Sequence, residues 1–177
     1  MTRSADGCIY ELDQRPALPT YLQRLGAPAA AYTDPVAFDA FTQTRPLGVR
    51  RRSGEEVRNV SSTDYLAEGW LGCSGTVPEG GLVWPMEGDE ASVIEAAGEA
   101  CQAAVEALDG HRPLGLFAFD CVSRIGLLGE TAGDEVDRMV AVAGDVPLSG
   151  FYTWGEIART RGINGYHHQT LVVLAVS

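Results

Sequence analysis

The feature that most constrains the fold is a long amphipathic stretch followed closely by a wholly apolar one. From Glu90 to Leu108, the residues Val93, Ile94, Ala97, Cys101, Ala104, Val105 and Leu108 recur at helical spacing, and Glu95, Glu99, Gln102 and Glu106 take the opposite face. Asp89 is placed to cap this helix, Ser92 with Glu95 offers a capping box, and Asp109-Gly110 ends it. Leu114-Gly-Leu-Phe-Ala-Phe119 then has no polar position, which predicts an interior strand covered on both faces. A helix with one apolar stripe must bury it, and a sheet is the natural partner.

The rest of the chain fits that scheme. Cys8–Leu12 reads as a first strand, and a helix follows from Pro16 to Leu25 with Leu18, Tyr21, Leu22 and Leu25 on one face. Gly26 to Phe41 reads as a loop with a short helical piece. Pro46–Val49 is predicted as an edge strand and Glu56–Val60 as another. Trp70–Cys73 and Leu82–Trp84 are predicted to flank a turn at Pro78-Glu-Gly-Gly81. A second amphipathic helix is expected over Asp134–Val142, with Val136, Met139 and Val140 as its apolar residues. Strands are expected at Pro147–Thr153 and, wholly buried, at Thr170–Val176. The order predicts a mixed α/β fold, α+β-like, with a mixed or largely antiparallel sheet packed by two to three helices. Met1 to Gly7 is expected as a flexible tail and residues 8–177 as one domain around one core; a chain of this length buries about two-thirds of its unfolded surface.

Charge narrows the partners. The net charge is -11; residues 1–60 hold eight Arg and seven acids, whereas residues 61–177 hold five Arg and 17 acids. Such a surface repels a phosphate backbone, so no nucleic-acid binding is expected. Arg50-Arg51-Arg52 ahead of Ser53-Gly54 reads as a solvated basic turn. The longest apolar run, Leu171 to Val176, is far short of a membrane span, and no basic-then-apolar leader opens the sequence. A cytoplasmic protein without membrane insertion is expected. Cys8, Cys73, Cys101 and Cys121 are far apart and lack paired ligand spacing, so no disulfide, metal or other cofactor is expected.

Three segments carry a likeness: Phe117-Ala-Phe-Asp-Cys-Val-Ser-Arg124, then Val146-Pro-Leu-Ser-Gly-Phe-Tyr-Thr-Trp-Gly-Glu-Ile157, then Tyr166-His-His-Gln-Thr-Leu-Val-Val-Leu-Ala175. Together they resemble the C-terminal segment of the FIST domain, the F-box and intracellular signal transduction module. Its marks are a Cys with Arg three residues on, Pro-x-x-Gly-Phe followed by Gly-Glu-Ile, and a polar triplet before an apolar strand. Weaker likeness runs back through Pro78-Glu-Gly80 and Arg58-Asn-Val60, so it covers roughly Gly7 to Val176. The resemblance implies a bacterial signal transduction protein with a non-catalytic sensory domain. It also implies a small polar ligand, an amino acid or carboxylate, and as partner a FIST N-terminal segment or a signalling output domain. No N-terminal FIST segment precedes this one in the sequence, which implies either a piece of a longer protein or a stand-alone variant. Where relatives often carry Ser before the Cys, this chain has Asp120, which changes the charge offered to a ligand.

The ligand-binding candidates are Asp120, Cys121, Arg124, Trp154, Glu156, His167 and His168, with no catalytic residue among them. Arg124 follows an interior strand, where ligand crevices form; its guanidinium can hold a carboxylate or phosphate, or it can pair with Glu156 and brace two loops. Cys121 as a nucleophile needs a nearby base, and Asp120 beside it works against a thiolate. Glu156 can accept from a ligand amine or from backbone amides. His167 and His168 face opposite sides of a strand, so at most one joins the others and neither pair-ligates a metal. Trp70 and Trp84 read as core, Trp154 as a pocket wall. The alternative to a sensory site is a docking module in which the same motifs maintain a joint to a partner segment.

Overall fold

In the computed structural model the structure describes residues 1–51, 54–60, 68–160 and 163–177. The fold is mixed α/β, with antiparallel and mixed sheets packed by several helices. It divides into two compact units, Met1–Glu87 with Thr160–Gly165, and Gly88–Arg159 with Tyr166–Ser177. Each unit holds its own cluster of buried apolar side chains, so the single core expected from chain length is replaced by two.

In the first unit β1 (Arg3–Ala5) pairs antiparallel with β2 (Cys8–Leu12), which also pairs with β3 (Arg15–Pro16) and β6 (Leu71–Gly72). The N-terminal residues are therefore not a tail. The Met1 ammonium donates to Gly81 O at 2.7 Å, and Ser4 Oγ donates to Val77 O at 3.1 Å. Helix α1 (Ala17–Arg24) buries Leu18, Tyr21 and Leu22 as its spacing predicts. Helix α2 (Pro35–Thr42) starts with Asp34 capping Val36 N and Pro35 in the first turn, where a missing amide costs nothing. Strand β4 (Leu47–Arg51) is central rather than an edge, lying between β5 (Gly54–Arg58) and β7 (Val83–Pro85). Strands β6 and β7 thus join two different sheets instead of pairing across the Pro78–Gly81 turn. Arg51 binds Glu56, while Arg52 and Ser53 lie outside the described residues.

The second unit starts with α3 (Glu90–Glu106), capped by Asp89, whose carboxylate accepts from Ser92 N at 2.8 Å. Its predicted stripe is the observed one: Ala97 and Cys101 are buried, and Val93, Ile94, Ala104, Val105 and Leu108 are partly covered. Strand β8 (Gly115–Cys121) is interior, antiparallel to β12 (Leu171–Val176) and parallel to β9 (Leu148–Thr153). The parallel step requires a crossover, which α4 (Val122–Leu128) and α5 (Ala132–Ala143) supply. Strands β10 (Glu156–Thr160) and β11 (Ile163–His167) form a separate two-stranded sheet.

Two expectations about cover are corrected here. Neither β8 nor β12 is buried on both faces. Leu116, Ala118 and Asp120 point to the helices, whereas Phe117 and its cross-strand neighbour Leu174 are exposed on the other face. A wholly apolar run reports the absence of polar residues, not the number of layers above them. Likewise α5 buries Glu135, Met139 and Ala143, while Val136 and Val140 are about half exposed.

Candidate functional site

Strand β8 ends by delivering consecutive side chains to opposite faces of the sheet. Asp120 goes to the helix face and Cys121 to the other. The following turn of chain is α4, and Arg124 on it reaches back over Asp120. This alternation splits the sequence-derived site into two adjacent polar clusters.

On the helix face, Arg124 is 4 % exposed and is consumed by protein groups. Its Nε donates to Glu135 Oε1 at 2.9 Å, and Nη2 donates both to Glu135 and to Val93 O. Asp120 Oδ1 lies 3.1 Å from Arg124 Nε but receives no hydrogen bond, because that donor is aimed at Glu135. The expected Arg124–Glu156 pair is therefore replaced by Arg124–Glu135, a link between α4 and α5 with a further tie to α3. Glu135 is the residue that sequence reasoning missed. It reads as a polar residue of an amphipathic helix, and its only signal is that it shares the i, i+4, i+8 face of Met139 and Ala143.

Two carboxyls thus face one guanidinium. Burial, followed by the neighbouring Glu135 carboxylate, pushes Asp120 up to about 8, against the opposing pull of Arg124. Tyr152, paired across the strands with Asp120, is also raised, first by burial and then by Asp120 and Glu135.

On the other side of the strand end, Glu156 is buried and holds the loop between β9 and β10. Thr153 Oγ1 donates to its Oε1 at 2.5 Å and Thr170 Oγ1 to its Oε2 at 2.9 Å. Cys121 also hydrogen-bonds this carboxyl, and its Sγ lies 3.1 Å from Ser123 Oγ. Burial raises Glu156 even though all these bonds favour its ionised form. Gly155 is required here. Its φ is +155°, and a Cβ would stand 2.5 Å from the Tyr166 hydroxyl oxygen. His167 and His168 are both buried, and the His168 ring meets Tyr166 edge-on at 4.6 Å. Trp154 is 84 % exposed. Gly150, the glycine of Pro-x-x-Gly-Phe, also has a steric reason. A Cβ there would lie 2.4 Å from Ala118 O on the adjoining strand.

Beside Asp120 the helix face opens into a groove of about 220 Å³ between α5 and β9. Val136 and Val140 form one wall, Leu148 and Tyr152 the other, and Ala118 and Asp120 the floor. This explains why two valines of an amphipathic helix remain half exposed.

Stability should carry the mark of these raised carboxyls. The folded chain keeps a proton on Asp120 from about pH 4 to about pH 8, where an unfolded aspartate has already lost it. The native state then binds more protons, so stability falls as pH rises through that window and levels above it. The groups facing Asp120 are Arg124, Glu135, Tyr152 and, more distantly, Glu156, whose own raised value acts in the same direction. Asp120→Asn is expected to flatten, though not abolish, the decline in melting temperature between about pH 5 and pH 8.5. Parallel declines in variant and parent would refute the assignment.

The class defined by this architecture is a mixed α/β module with a polar strand end and an adjoining groove. The FIST C domain model matches residues 17–159, and the chain belongs to that family. FIST domains are in general sensory and signalling modules that pair with N-terminal FIST segments and signalling outputs. No curated protein and no solved structure matches the chain. Among the described residues no helix is long and apolar enough to cross a membrane.

Proposed function

We propose that this chain is the ligand-sensing, non-catalytic part of a signal transduction protein, and that its ligand occupies the groove between α5 and β9. One observation carries the reading: a half-open apolar groove has at its floor a carboxyl that is 6 % exposed and has one oxygen free of hydrogen bonds. Buried polar atoms are normally satisfied, so an exception calls for a physical reason, and a bound molecule is one. Apolar walls with a single polar anchor are the usual construction of a small-molecule site. Cys121 shares the Glu156 carboxyl with Thr153 and Thr170, a set of bonds that braces the loop between β9 and β10.

A second reading has its own support. The face of the β12–β8–β9 sheet away from the helices exposes Phe117, Phe151, Leu174 and Val176, an apolar surface suited to a FIST N-terminal segment or an output domain. One experiment separates the two. In a thermal-shift screen of amines, amino acids, nucleosides and carboxylates, a groove ligand at a hundred times its dissociation constant adds about 2.7 kcal/mol of stability. Flat melting curves combined with concentration-dependent self-association would move the conclusion to docking.

A further inference from the structure

We propose that the groove selects a small primary amine with an apolar tail, its ammonium seated on Asp120, and that it rejects amino acids and carboxylates. This rests on the groove being the ligand site, and it specifies the chemistry that the site accepts.

Charge is the first ground. None of the described residues lining the groove is cationic, so a ligand carboxylate meets no partner there. The nearest guanidinium, Arg124, has its Nε and Nη2 committed to Glu135 and Val93 O. Against that one cation stand three buried acids, Asp120, Glu135 and Glu156. The excess of negative charge is also long-ranged: the second unit carries 13 acids and four arginines. Such a field concentrates cations at the groove and repels anions.

Shape is the second ground. An apolar cavity of about 150 Å³ takes up benzene, so a groove of about 220 Å³ has room for a phenyl or branched alkyl group with a short chain. Val136, Val140 and Leu148 would cover that tail, while the Asp120 carboxyl that lines the groove would accept from the ammonium. Tyr152 stands across the strand pair from Asp120 and adds an aromatic face, which attracts cations. The arriving positive charge also favours the ionised form of Asp120. The proton it holds below about pH 8 then leaves to solvent, and no other group needs to change charge.

Calorimetric titration of the intact chain at neutral pH tests this with four probes of one shape: 2-phenylethylamine, phenylalanine, 3-phenylpropionate and 2-phenylethanol. The amine should bind at least about tenfold more tightly than each of the others. Asp120→Asn should weaken it by about tenfold or more. Buffers of different ionisation enthalpy should reveal proton release on binding. Val140→Phe, at a half-exposed position where folding is not at risk, should narrow the groove and also weaken the amine. Equal or tighter binding of the amino acid, the acid or the alcohol would overturn the amine preference but leave the groove as a ligand site. Amine binding that survives Asp120→Asn would overturn the seat. Absence of binding by all four probes would overturn the groove reading itself.

Discussion

Arg124→Ala is expected to cost about 3–5 kcal/mol, enough to leave the second unit marginal or unfolded at ambient temperature. The size follows from what remains after the guanidinium is gone. Glu135 is 1 % exposed and Asp120 is 6 % exposed, so two carboxyls are left in a space that water cannot freely enter. Val93 O loses its donor at the same time, which releases the tie between α4 and α3. Were Arg124 present only for a ligand, the same change would cost less than about 1 kcal/mol. Two controls sharpen the result. Lowering the pH should restore part of the loss, because a protonated carboxyl is cheaper to bury than an ionised one. Arg124→Met combined with Glu135→Met should be less damaging than Arg124→Ala alone, since replacing both partners leaves no orphaned charge. Urea denaturation of the two variants and the parent reads these differences directly. A single variant that unfolds within about 1 kcal/mol of the parent would show that the triad is not a brace.

The same triad shows what a sequence can reveal and what it conceals. Asp120, Cys121 and Arg124 stand out as polar residues at the end of an apolar run, and they do lie at a strand end. Their separation onto two faces follows from strand geometry, but which face meets Glu156 depends on how β9 turns at Thr153-Trp154-Gly155. Glu135 gives almost no signal. On α5 the valines at 136 and 140 look like the inward face with Met139, and a lone acid on the true inward face reads as solvent-exposed until its arginine is known. Helix α4 is equally hidden, since seven residues containing Ser123, Arg124 and Gly126 offer too short a stripe to distinguish helix from loop. Helix α3 is legible from end to end because its 17 residues repeat the pattern several times, with a capping aspartate at one end. Strands β2 and β9 are legible from local pattern, whereas their partners are not. Pairing β6 with β2 and β7 with β4 rests on contacts remote in sequence, which no local periodicity encodes. For the same reason the sequence gives no warning of two separate cores.

The helix that anchors the second core supplies the other large effect. Ala97 has no exposed surface and packs among Cys101, Leu116, Ala118, Met139 and Ala143. Ala97→Asp places a carboxylate there, and the cations near this part of α3 are already paired with acids. Arg124 Nη2 reaches the Val93 carbonyl one turn before Ala97 but is held by Glu135, and the Arg138 guanidinium lies against Gly98, which points roughly 100° further round the helix. Arg138 is also already held by Glu95, with Nη2 to Oε1 at 2.7 Å and Nε to Oε2 at 3.0 Å. Without a partner the new carboxyl must be buried neutral or drag water into the core. The cost is about 2–7 kcal/mol, comparable with the whole stability of a unit this size. Glu99→Ala, two residues further on and on the exposed face, should change stability by less than about 0.5 kcal/mol. The contrast between the two, measured by chemical denaturation, tests the orientation of α3. If Ala97→Asp melts within about 1 °C of the parent, α3 does not press this face on the sheet. The helix face of β8, the floor at Asp120 and the groove built over it would then all have to be redrawn.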